Sequence, residues 1–223
     1  MLFRSAVGKR ENQLIKTALD RLAVINAGKS HYADDEPFIV PGASYNAGNN
    51  KFFTEDIKLM SHTHEAWPLL RPDGSIVTQI VYSVRVPEDT TSLTPSLEKG
   101  ALKTTVRTFL SSFAIRVNDD YGYDEDSVHG VDWTSSYSSP PGNVEGIAVP
   151  LLTMGMTGHY EYLAAETIYK NAKSPDKTLV FVEGASHGYT TCTKCEKYPG
   201  QYGDTMKTIY DYVDGWLSKK GRF

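Results

Sequence analysis

The chain has 223 residues, 40% of them hydrophobic and 22% charged, with a formal net charge of −4. That composition fits one large globular domain or two small ones, and the mild acidity without a basic run excludes a phosphate-tracking nucleic-acid or anionic-membrane binder. No stretch approaches the roughly 20 apolar residues needed to span a bilayer, and Met-Leu-Phe-Arg-Ser at the start lacks the apolar centre of a signal peptide.

Apolar residues Leu14, Ile15, Ala18, Leu19, Leu22 and Ile25 recur at helical spacing between Glu11 and Ala27, and Gly28 supplies a stop. Phe38 to Val40 reads as a short buried strand closed by Pro41-Gly42. The stretch 43–75 is rich in Asn, Gly and His, with turn chemistry at Arg71-Pro72-Asp73-Gly74, and Ser75 to Val86 is β-branched and extended. Leu97 to Ile115 is expected to be a helix with Leu102, Val106, Phe109, Leu110 and Phe113 inward. The acidic segment 118–126 lacks calcium-loop spacing and reads as a solvated loop.

The last third is more regular. Val149 to Met154 and Thr178 to Val182 are buried strands, each followed by a helix, Tyr160 to Ala172 and Asp204 to Leu217. The closing helix carries Met206, Ile209, Tyr210, Val213, Trp216 and Leu217 as one stripe. Strand–helix alternation with continuous apolar strands predicts an α/β fold with a parallel sheet flanked by helices. In such sheets ligands gather at the carboxyl ends of strands, so the loops 155–161 and 183–189 are the candidate site. An acid in the first loop would orient a histidine in the second, as nucleophile–His–acid chemistry requires.

The phrases VPLLTMG, KTLVFVEGASHG and YDYVDGWL resemble the C-terminal portion of an α/β-hydrolase. The resemblance is firm over about residues 143–218 and implies a triad in the order nucleophile, acid, histidine. It implies His187 as the catalytic histidine. Its acid position, counted from Gly155, falls on Gly158, which leaves Glu161 as first candidate, Asp132 from the cap side as second, and Glu166 within the helix as third. The expected domains are a hydrolase core at 1–42 and 143–223 and a cap-like insertion at 43–142.

No Gly-x-Ser-x-Gly occurs; Ser44 in GASYN comes nearest, but it follows Pro41 and too few strands precede it. Leu2-Phe3-Arg4-Ser5 back-translates to CTC-TTC-CGA-TCT, the tail of a sequencing adapter, so the nucleophile is expected to be encoded upstream. The resemblance then implies hydrolysis of a small carboxylic ester, with no cofactor and no metal, by the intact enzyme and not by this chain alone. The alternative is a non-catalytic hydrolase-like module that binds a ligand or partner.

Cys192 and Cys195 are too few for a zinc site unless His187 or His159 joins them, and a local disulfide beside His187 is the favoured state, implying secretion or a periplasmic location. His62, His64 and His159 lack an acidic or cysteine partner at useful spacing and read as solvated or capping residues.

Overall fold

A computed structural model describes residues 2–41, 57–86, 101–159 and 162–223. In chain order the described elements are α1 (Leu2–Asn26), β1 (Pro37–Pro41), β2 (His62–Leu70), β3 (Ile76–Tyr82), β4 (Ala101–Thr105), α2 (Val106–Thr108), a π-helical turn (Phe109–Phe113), β5 (Arg116–Tyr123), β6 (Val128–Asp132), α3 (Pro140–Asn143), β7 (Leu151–Met156), α4 (Tyr162–Asn171), β8 (Lys177–Val182) and α5 (Thr205–Leu217). They form two units, one holding residues 2–41, 101–122 and 128–143, the other 57–86, 123–127, 144–159 and 162–223.

In the first unit the helical spacing of α1 buries Ile15, Ala18 and Ile25. They pack on Phe38 and Val40 of β1 and on Val106, Phe109 and Ala114. Alternation along β1 points Ile39 outward while Phe38 and Val40 face this core, and the Phe38 and Phe109 rings lie 4.7 Å apart. β1 pairs antiparallel with β4, from Pro37 opposite Thr105 to Pro41 opposite Ala101. The helix expected over 97–115 is therefore corrected: within its described part, 101–105 is a strand and only 106–113 is helical. Its Leu102, Val106 and Phe109 also satisfy the inward pattern here, but the β-branched Thr104 and Thr105 favour extension once β1 offers a ladder. Phe113, expected inward, is exposed.

The acidic segment is not a free loop. β5 and β6 form a two-stranded sheet joined through Asp124, whose carboxylate accepts from the Ser127 backbone and hydroxyl at 3.0 and 2.8 Å.

The second unit is a four-stranded sheet in the order β3-β2-β8-β7. β7 and β8 run parallel in register from Leu151 opposite Lys177 to Met156 opposite Val182. β2 joins β8 in parallel through Leu69–Phe181 and Leu70–Val182, and β3 returns antiparallel at the edge. Strand alternation splits the apolar residues between two faces. Leu179 and Phe181 pack with Leu69, Val81 and the α4 residues Tyr162 and Ala165. Val180 and Val182 pack with Leu70, Met156 and Ile209 of α5. Helices thus cover both faces, which is why β8 is apolar at every position from Leu179 to Val182.

This mixed sheet, with α4 and α5 on its two faces, is an α/β arrangement. Two expectations about its extent are corrected. β2 and β3, assigned to the insertion at 43–142, are strands of this sheet, while α1 and β1, assigned to the core, belong to the first unit. The reason is non-local: β2 finds its partner more than a hundred residues away, through only two register pairs. Within α5, Ile209 is buried, but Met206, Tyr210 and Leu217 of the expected stripe are exposed.

Candidate functional site

Two loops meet at the carboxyl ends of β7 and β8. Thr157, just past β7, ties them: its backbone N–H donates to Val182 O at 3.2 Å, and its hydroxyl donates to Val182 O at 3.1 Å and accepts from Gly184 N at 2.9 Å. The Gly158 N–H then donates to Ala185 O at 2.8 Å. Both glycines are needed. A Cβ on Gly158 would stand 2.8 Å from Ala185 O and from Cys192 Cβ. Gly184 has φ +72°, and a Cβ there would enter the buried Tyr202 ring.

Past this clamp the β8 loop folds on itself. Ala185 bridges Thr191, Ser186 N donates to Thr190 O at 2.7 Å, and His187–Tyr189 forms a single 3-10 turn. Gly188 and Tyr189 take φ +74° and +70° in this turn, a conformation that costs a tyrosine about 1 kcal/mol or more. Cys192 and Cys195 form a disulfide, as favoured from the sequence, and their buried side chains cluster with Tyr202.

The expected site residues divide sharply. His187 does emerge past the end of a parallel strand, but its ring is exposed to solvent. Among the described residues, His159 from the β7 loop, half-buried, lies beside it, with ring centroids 5.4 Å apart and planes tilted by 40°. Glu161 and Ser44 lie outside the described residues. Asp132 belongs to the first unit, where its carboxylate caps the turn Trp133–Ser135 by accepting from Thr134 N at 3.1 Å and from the Thr134 hydroxyl at 2.7 Å.

Glu166 has a structural role. The register of β2 against β3 slips between His62 and Ala66, a bulge that leaves backbone donors unpaired in the ladder. Glu166 on α4 accepts from His64 N at 2.9 Å, from Glu65 N at 3.2 Å and from the Trp67 indole at 2.8 Å. Lys170 pairs with it at 3.0 Å and with Glu65 at 2.9 Å. Burial pushes this carboxyl upward, but the Trp67, His64 and Lys170 hydrogen bonds outweigh it and hold it below the ordinary glutamate range. A carboxylate so engaged is not a partner for an imidazole elsewhere.

His62 and His64 are likewise occupied: His62 Nδ1 lies 3.0 Å from Thr63 O, and His64 Nδ1 lies 2.9 Å from Asp126 Oδ2. Among the described residues no group of three or more His, Cys, Asp or Glu is placed to hold a metal ion. No described helix is long and apolar enough to cross a membrane. A cleft of about 390 Å³ opens at the carboxyl end of β2, between the Arg71–Ser75 turn and the first turns of α5. Asp73, Asp204, Lys207 and Asp211 line it, and neither His159 nor His187 does.

The juxtaposition of His159 and His187 was missed in the sequence. Its signal was present as position: each histidine follows a predicted buried strand by a few residues, and the two strands were expected to be neighbours. Comparison with models of protein families, with curated proteins and with solved structures finds no match.

Proposed function

We propose that this chain is the C-terminal portion of an α/β-hydrolase that cleaves carboxylic esters, with His187 as the proton-relaying imidazole and the nucleophilic serine encoded upstream. The observation that carries the reading is the position of His187, delivered by a loop that leaves the carboxyl end of a buried parallel strand and is fastened to the loop of the adjacent strand. In the intact enzyme a serine oxygen attacks the acyl carbon, His187 takes the serine proton and returns it to the leaving alcohol, and water repeats the sequence on the acyl-enzyme. Glu161 is the acid proposed to orient His187. The Cys192–Cys195 disulfide supports an oxidising location, since such bonds persist there.

The alternative, a hydrolase-like binding module, draws support from the exposure of His187. Hydrolysis of a fluorogenic short-chain ester separates the two. The 223-residue chain should give no turnover, and the product of the intact reading frame should turn over. An intact frame without a Gly-x-Ser-x-Gly, and without activity, would overturn the proposal in favour of the binding module.

A further inference from the structure

We propose that two copies of this chain associate by pairing their β7 edges antiparallel about a two-fold axis through Thr153, which joins their sheets into one.

The backbone defines the edge. Leu151 N donates to Asp176 O at 2.9 Å and Thr157 N to Val182 O at 3.2 Å, so the odd-numbered residues of β7 bond to β8. Strand alternation then turns the N–H and C=O groups of Leu152 and Met154 to the opposite edge, where no strand pairs among the described residues. Proteins commonly blunt such edges with charge, but no Asp, Glu, Lys or Arg lies between Glu145 and His159. A neutral strand therefore meets a neutral strand without repulsion, and the exposed Ile147 and Val149 extend the apolar strip.

Self-complementarity of the register argues for a second copy as the occupant. Centring on Thr153 sets Leu152 of one copy opposite Met154 of the other, and the pair exchanges both backbone hydrogen bonds. Pro150, which has no N–H to give, then falls opposite Met156, whose carbonyl already accepts from His159 N at 3.1 Å. Centring on Leu152 would set Pro150 against Met154 and strand its acceptor. Centring on Met154 would aim the Leu152 donor at the occupied Met156 carbonyl. Side chains fit the same choice. Leu151 stands opposite Gly155, where a Cβ would come within 3.1 Å of Ala165 Cβ and closer still to the Phe181 ring. The buried Thr153 hydroxyl, which has no hydrogen-bond partner, faces its own copy at about 4.5–5.5 Å between Cβ atoms, and opposed threonines hydrogen-bond across strands. Neither imidazole of the candidate site takes part, and the pairing does not rest on ester hydrolysis.

Sedimentation velocity of the full chain tests this. A ladder this short buries less than the about 1,200 Å² of a standard interface, so the expected dimer is weak, half-formed at about 10–100 µM. A chain that stays monomeric to about 200 µM would overturn the proposal. Met154→Pro removes only an outward donor and should weaken the dimer at least about tenfold, with the circular dichroism of the parent. Undiminished association in that variant would be contrary. Hydrogen exchange of the parent needs no variant to fold: the Leu152 and Met154 amides should slow as concentration rises through the transition, and exchange independent of concentration would overturn the proposal. Oxidised Thr153→Cys should give a covalent dimer, whereas Thr78→Cys on the exposed face of β3 should not. A dimer locked through Thr78→Cys instead would contradict the pairing.

Discussion

The Trp67 indole donates to Glu166 across 2.8 Å, and with the two backbone amides beside it this bond fastens helix α4 to the bulge in β2. Glu166→Ala strands three donors, each costing about 1 kcal/mol or more when left unpaired in a buried setting, so the expected loss is about 3 kcal/mol. Urea unfolding followed by Trp fluorescence measures it, and Glu166→Gln should recover part of the loss by keeping an acceptor.

The same carboxylate sets a pH dependence. Its folded value lies below the ordinary glutamate value of 4.5, so its stabilisation is fully present above pH 4.5 and is lost as pH falls through the lower folded value. Midpoints measured between pH 6 and pH 3 should fall more steeply for the parent than for Glu166→Gln.

Gly184→Ala should be among the most damaging single changes. The position needs φ +72°, and the Tyr202 ring occupies the space a methyl would fill. Strain and overpacking together are expected to cost about 3 kcal/mol, whereas Gly188→Ala, at φ +74° with nothing in the way, should cost about 1. Differential scanning of the two variants compares a steric clash plus strain with strain alone.

Replacing Cys192 and Cys195 by serine removes a link that closes only a short loop, so the chain-entropy contribution is small, about 2 kcal/mol. The loop should keep its place through the Cys192 backbone bond to Gly184 O and the Ala185–Thr191 bridge, neither of which uses sulfur. Unfolding with and without reductant should reproduce the difference seen with the double serine variant.

What was legible in the sequence was local. The run from Leu179 to Val182 is apolar on both alternating faces, so a buried strand between two helix layers follows from its residues alone. The Arg71–Gly74 turn is also local chemistry and stands where expected. Non-local pairings were not legible. Nothing in His62-Thr-His-Glu announces a strand that bulges and then joins β8, because its polar residues are held by Glu166 and Asp126 from elsewhere in the unit. Likewise Leu102 and Val106 fit a helical stripe until β1 supplies the ladder that makes 101–105 extended. Of the candidate site, the position of His187 was readable and its neighbour was not.

His187 in a relay role makes one demand that decides the account. In a chain that carries the proposed nucleophile together with these residues, His187→Ala should lower kcat for a short-chain ester by about 10⁴-fold or more while leaving KM within a few fold and the unfolding midpoint unchanged, since the ring is exposed. Undiminished turnover in that variant, measured on protein shown to be folded, would contradict it.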